Sequence, residues 1–185
     1  MSTLKAIEFS TNAHLGHFRK GSKTPYITHP FEVAKILASV VDPETNEALI
    51  CAGLLHDTVE DTDTTIEVIR KEFGEAVAVL VASESEDKSL SWEIRKRNTI
   101  EFLKKDANRD MLILACADKL ANLRNIKADY AKIGDEVWEI FVRGKEDQGW
   151  YYKSIVESLA SLGDLPIYCE LAELTIEIFN KPEMD

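Results

Sequence analysis

Positive charge is scarce in this chain: 22 Lys and Arg stand against 33 Asp and Glu, a net charge of −11. Duplex DNA and anionic membranes repel such a surface, so neither is a default partner. An anionic ligand would need a local basic patch or a cation to offset the global field. Cysteine is scarce too. Cys51, Cys116 and Cys169 are far apart, odd in number and never in a CxxC spacing. Each lies in an apolar run (ALICAGLL, LILACADKL, IYCELAEL), the pattern of buried, reduced thiols. Long apolar runs are missing: none approaches the roughly 18–20 residues that cross a bilayer, and MSTLKAIEFS has no apolar signal core. The expectation is a soluble, cytoplasmic protein with no membrane partner.

Glycine and proline are few, eight and five in 185 residues, and the prolines fall at segment edges. Long helices are expected, and helical periodicity dominates. Apolar residues recur helically over 4–18, after Pro30, over 44–57, from Ile66 to Gly74, and over EAVAVLVASES. They recur again in WEIRKRNTIEFLKK, in DMLILACADKLANLRNI, and near 143–161 and 165–179. Thr3 and Thr64 or Thr65 are candidate N-caps, and Gly74 a helix stop. Residues 84–92 and 128–137 read as loops, the second as a mobile one. No alternating strand pattern stands out, and VAVLVA alone would have no partner strand. The fold class is all-α: one compact helical bundle over 1–185, with about eight to ten helices.

One stretch conflicts with this orderly pattern. In LLHDTVEDTDTT an apolar helix runs into His56 and then four carboxylates, Asp57, Glu60, Asp61 and Asp63, with no Lys or Arg among them. Asp57 and Asp61, four apart, would repel on a continuing helix, and both lie near a helix C-terminus that disfavours negative charge. A solvated acidic loop would relieve this by screening, but the cluster abuts the apolar AGLLH and encloses Val59. A bound divalent metal also resolves it. Imidazole beside carboxylate suits Mn²⁺, Fe²⁺ or Zn²⁺ rather than Ca²⁺. Two further stretches extend the set. PYITHP places His29 before a Pro-started helix, and ACADKLANL places Asp118 and Asn122 on one face of an apolar helix. Buried there, these polar side chains need partners. His29, His56, Asp57 and Asp118 would form a four-ligand site completed by water. The paired His14 and His17 are read as packing and pocket-edge residues. Lys119 and Arg124 are read as surface pairs, and the three tryptophans as packing residues.

The H…HD…D constellation resembles the HD-superfamily metal-dependent phosphohydrolases. The fuller set AHLGHFRK, TPYITHP, LLHDTVEDT, EDKSL with Trp92 and Arg95-Lys96, and ADKLANLR is similar to the hydrolase domain of RelA/SpoT-type proteins, which degrade the alarmone (p)ppGpp. The resemblance runs from about residue 10 to about 160, through Trp138–Phe141 and QGWYY. With 185 residues and no room for a synthetase domain, the expectation is a stand-alone small alarmone hydrolase like the metazoan SpoT homologues. The resemblance implies that His29, His56, Asp57 and Asp118 bind one Mn²⁺, with Zn²⁺ or Fe²⁺ as alternatives. It implies that Glu60 and Asp61 orient and activate the attacking water. It implies that Arg19 and Lys20 lie beside the base, Asn122 by the ribose, and Lys88, Arg95 and Lys96 toward the phosphates. His17, Ala121 and Ser85-Glu86 depart from the family pattern around the base pocket.

The implied reaction is Mn-dependent release of 3′-pyrophosphate from guanosine 3′,5′-bis(diphosphate), part of the stringent response. The partner is a small nucleotide; nucleic acid is not expected, and a homo-oligomer is compatible with the sequence. Of Arg95, Lys96 and Arg97, one or two should face the pocket, since three successive helical residues cannot share a face. Three other readings stay open: hydrolysis of another phosphorylated nucleotide (an adenosine alarmone, or the 2′-phosphate of NADPH), a non-catalytic alarmone-binding module, and a structural helical domain.

Overall fold

The computed structural model describes residues 2–180, so the expected 1–185 unit extends past the described residues at both ends. Ten α-helices succeed one another: α1 Thr3–Ala13, α2 Thr28–Ala38, α3 Glu47–Leu55, α4 Thr58–Asp61, α5 Ile66–Phe73, α6 Glu75–Glu84, α7 Trp92–Lys105, α8 Arg109–Ile133, α9 Lys145–Ser158 and α10 Pro166–Phe179. Two 3-10 segments, Gly134–Ile140 and Ala160–Leu162, flank α9. Among the described residues no strand forms; a single antiparallel bridge joins Phe18 to Pro25. No helix of the described residues is long and apolar enough to cross a membrane.

Local chemistry sets the helix ends. The Thr65, Ser91 and Asn108 side chains accept from the backbone N–H groups of Val68, Ile94 and Met111, capping α5, α7 and α8. Gly74, at φ 88°, ends α5 in a conformation that only glycine adopts without strain. Helix α3 is buried on every side, from Leu49 through Leu55, so it reads as a continuous apolar run rather than a stripe. Helix α8 packs against α2, α3, α6 and α10, and its middle, Leu112 to Leu123, lies in the core apart from Lys119 and Asn122, which are half-buried.

Five expectations need correction. Thr3 does not cap α1 but begins it, and Ser2 takes the cap position without a side-chain hydrogen bond. The first helix stops at Ala13, because Gly16 at φ 82° turns the chain before Phe18. Residues 128–137 are not a loop: α8 continues to Ile133 and a 3-10 segment follows. That segment folds back so that Val137 and Trp138 are buried, with Trp138 against the Tyr130 ring. Cys169 is exposed on α10, whereas Cys51 and Cys116 are buried as expected. Lys119 is not a surface residue, as described below. VAVLVA forms the middle of α6.

Gly53 sets how closely α3 approaches α2. A Cβ there would lie 2.5 Å from Leu37 Cδ1, and Leu37 is fully buried. Gly53→Ala should therefore destabilise the fold by about 1–3 kcal/mol, the ordinary cost of overpacking a core. Urea denaturation at equilibrium checks this.

Candidate metal centre and pocket

The apolar helix α3 delivers His56 to the core at its C-terminal end. There the His56 Nδ1 lies 2.8 Å from the Gly53 carbonyl, and Thr58 Oγ1 donates to the Leu55 carbonyl at 2.7 Å. Both contacts satisfy carbonyls that the helix end leaves free. A carbonyl only accepts, so Nδ1 carries the hydrogen, and Nε2 of neutral His56 presents a bare lone pair to the interior. Packing of α2 and α8 against α3 then brings three more side chains to it. His29 Nε2 lies 3.2 Å from His56 Nε2. Asp57 Oδ2 lies 3.0 Å from His56 Nε2 and 3.5 Å from His29 Nε2. Asp118 Oδ1 lies 3.0 Å from His29 Nε2 and 3.6 Å from His56 Nε2.

His29, His56 and Asp118, all buried, offer ligand atoms within 4.8 Å of one another, and Asp57 Oδ2 sits beside the two histidines. Burial, helped by the neighbouring His56 and opposed by Asp118 and Asp57, pushes the His29 pKa below its ordinary value. Burial opposes protonation of His56 as well, but the charges of Asp57 and Asp118 overcome it and hold His56 well above the usual range. Burial would raise both carboxyls, yet His56 outweighs it at Asp57, and Lys119 with the two histidines at Asp118, so both stay far below the carboxylate range. The arrangement demands a positive charge between the acids and the facing imidazole nitrogens. Two imidazoles and two carboxylates fit a divalent metal of the Mn, Fe or Zn type.

Above the centre opens a cavity of about 620 Å³, a size that admits a nucleotide. Every sequence-derived candidate lines it except His56, which lies beneath: Arg19, Lys20, His29, Asp57, Glu60, Asp61, Lys88, Arg95, Lys96, Asp118 and Asn122. Of Arg95, Lys96 and Arg97, the first two face the cavity while Arg97 stacks over Trp150. Burial, then the neighbouring carboxylates Glu86 and Asp57, raises the Glu60 pKa. Asp61 accepts from Lys88 Nζ at 2.6 Å. Arg19 donates to the Asn122 side-chain oxygen at 2.9 Å, and Asn122 donates to Asp118 Oδ1 at 2.8 Å. Arg95 and Lys96 are both paired with Glu86, at 2.8 Å each. His14 is buried and stacks on Tyr26, while His17 is exposed beside Glu60 and Asp61.

Sequence reasoning missed four residues here. Tyr26 donates toward Asp57 and Asp61. Glu86 gathers the basic wall. Glu84 and Lys119 form a buried pair on the cavity floor: Lys119 binds Asp118 Oδ2 and lies 3.7 Å from Glu84. Burial, partly offset by Lys119, pushes the Glu84 carboxyl up to about 7. The available signal was a lysine inside the apolar run LILACADKL, where a charge must find a partner. Lys119→Met would strand Asp118 and Glu84 and should destabilise the protein by about 3 kcal/mol. Adding Glu84→Leu should recover part of that loss, which a double-mutant cycle in urea measures.

Comparison with known proteins places this geometry. A family profile described as an HD domain matches residues 6–144. The guanosine-3′,5′-bis(diphosphate) 3′-pyrophosphohydrolase MESH1 of Xenopus tropicalis is 43% identical over 125 residues, 67% of this chain and 69% of the relative. A solved structure of lmo0812 from Listeria monocytogenes superposes with a TM-score of 0.75 at 41% identity, covering 83% of this chain and 99% of that one. A solved metazoan ortholog of SpoT, described as hydrolysing ppGpp, superposes with a TM-score of 0.77 at 29% identity, covering 95% of this chain and 94% of that one. The chain therefore belongs to the HD-domain family, in the RelA/SpoT-type hydrolase branch that its motifs resemble.

Proposed function

We propose that residues 1–185 act as one HD-type hydrolase unit that releases 3′-pyrophosphate from guanosine 3′,5′-bis(diphosphate) in the cytoplasm, with Mn²⁺ as its metal. The observation that carries this is the convergence of two imidazoles and two carboxylates at the floor of a cavity with an acidic pair on one side and a basic wall on the other. Relatives named for this reaction support it.

His29 Nε2, His56 Nε2, Asp57 Oδ2 and Asp118 Oδ1 would hold the metal. A bound divalent cation lowers the pKa of water toward neutrality and neutralises charge on phosphoryl oxygens. Glu60, its pKa raised by burial and by the neighbouring carboxylates Glu86 and Asp57, is the acceptor for a proton from the attacking water. Asp61, held by Lys88, orients that water. Arg19, Lys20 and Asn122 receive the nucleoside. Lys88, Arg95 and Lys96 face the phosphates, which must compete with Glu86 for the last two.

The test is incubation of the purified chain with Mn²⁺ and, separately, ppGpp, pppGpp, ppApp and NADPH. Pyrophosphate from the guanosine compounds is the expected product. Phosphate from NADPH, with the alarmones left intact, would replace this reading with that of a 2′-phosphatase.

A further inference from the structure

Tyr26 has one hydroxyl hydrogen and two acceptors. Its oxygen lies 2.6 Å from Asp57 Oδ2 and 3.1 Å from Asp61 Oδ2. A phenol keeps its hydrogen at neutral pH, so the oxygen has one to give. An ionised carboxylate can only accept, so the single hydrogen serves one of them at a time. The shorter contact assigns it to Asp57. Asp61 is then left facing a phenol oxygen with no hydrogen directed at it, and leans on Lys88 through its other oxygen at 2.6 Å.

The same Asp57 oxygen is the one turned toward both histidines, at 3.0 and 3.5 Å. A cation shared by that oxygen withdraws its charge and makes it the poorer acceptor. Asp61, one helical turn after Asp57 with its backbone N–H on the Asp57 carbonyl at 2.9 Å, keeps its own. Rotation about the phenol C–O bond redirects the hydrogen, and the new hydrogen bond then needs only a small shift of the hydroxyl oxygen while the ring keeps its seat. It stacks on buried His14 at 4.7 Å between ring centres and carries the Arg19 guanidinium over it at 5.6 Å.

We propose that the Tyr26 hydroxyl is a positioning group that transfers its hydrogen bond from Asp57 to Asp61 when the metal centre is filled, so that Asp61 is fixed for water only in the loaded protein. This rests on the reading of the site given above. Tyr26 touches no reacting atom in this account; it acts through Asp61. The device also links the two ends of the cavity, since the ring that carries the hydroxyl is the one on which Arg19 rests.

The experiment has two arms. In crystals of the wild-type protein soaked with Mn²⁺, the Tyr26 oxygen should approach Asp61 Oδ2 to about 2.7 Å and withdraw from Asp57 Oδ2, the reverse of the present order. In Tyr26→Phe, which keeps the ring and its stacking, calorimetry should give an Mn²⁺ affinity within about threefold of wild type. The kcat for ppGpp should fall about 10–100-fold with KM within about threefold. A hydroxyl that stays on Asp57 in the loaded crystal, or an affinity loss of about tenfold or more in the variant, overturns the proposal. If wild-type protein fails to turn over ppGpp, the substrate assignment falls, while the crystal distances and the calorimetry still decide the role of Tyr26.

Discussion

Asp118→Asn and His56→Ala should each leave the protein without stoichiometric divalent metal and lower pyrophosphate release by about 10³-fold or more, equivalent to about 4 kcal/mol of transition-state stabilisation. The expectation follows from how the ligand atoms are fixed. Asp118 Oδ1 lies 3.0 Å from His29 Nε2, nearer than Asp57 Oδ2 at 3.5 Å, and its partner Oδ2 is anchored by Lys119. An amide at 118 would retain the shape while losing the charge that the two histidines face. His56 contributes the lone pair that its Nδ1 contact with Gly53 directs inward. Its loss also removes the neighbour that keeps Asp57 ionised. Metal content after equilibration with Mn²⁺ and gel filtration, read by elemental analysis, checks the first half; product assay checks the second. Circular dichroism of the variants separates loss of metal from loss of fold. Variants that fold and keep one metal per chain would show that these side chains are not its ligands.

The second large effect divides the acids by role. Glu60→Gln and Asp61→Asn should retain one metal per chain and lose about 10²–10⁴-fold in kcat, the usual contribution of a positioned proton acceptor. Neither residue makes a contact with the facing histidines. Glu60 accepts instead from the Glu86 backbone N–H at 3.4 Å and lies 3.7 Å from Lys88, on the rim of the same cavity. A carboxamide there can still hydrogen-bond but cannot take a proton. If either substitution strips the metal, that residue belongs to the metal shell and the division fails.

The helices were legible because apolar spacing is a local property. α5 ends where Thr65 and Gly74 place it, α7 spans the periodic WEIRKRNTIEFLKK, and α10 falls within the expected 165–179. What failed was also local in origin. The polar KADYAKIGDE gives little apolar signal, yet Ile126, Tyr130 and Ile133 keep a helical spacing that the returning Trp138 covers. Periodicity could not say that α2 and α8 flank α3, because helix pairing is a long-range property. The convergence of His29 with Asp118 came from the motif combination, not from spacing. Lys119 was misplaced for a physical reason. A lysine is ordinarily excluded from a core, but here Asp118 and Glu84 on facing helices supply the counter-charge that lets it stay. Tyr26 gave no sequence signal at all, since a tyrosine in a loop carries no periodicity and its hydroxyl partners lie 31 and 35 residues away.

Anomalous diffraction at the manganese edge, from crystals soaked in Mn²⁺, reads the central arrangement most directly. One strong peak is expected among His29 Nε2, His56 Nε2, Asp57 Oδ2 and Asp118 Oδ1, absent in Asp118→Asn crystals treated alike. A peak elsewhere in the molecule, or none at a concentration that supports turnover, would contradict the account.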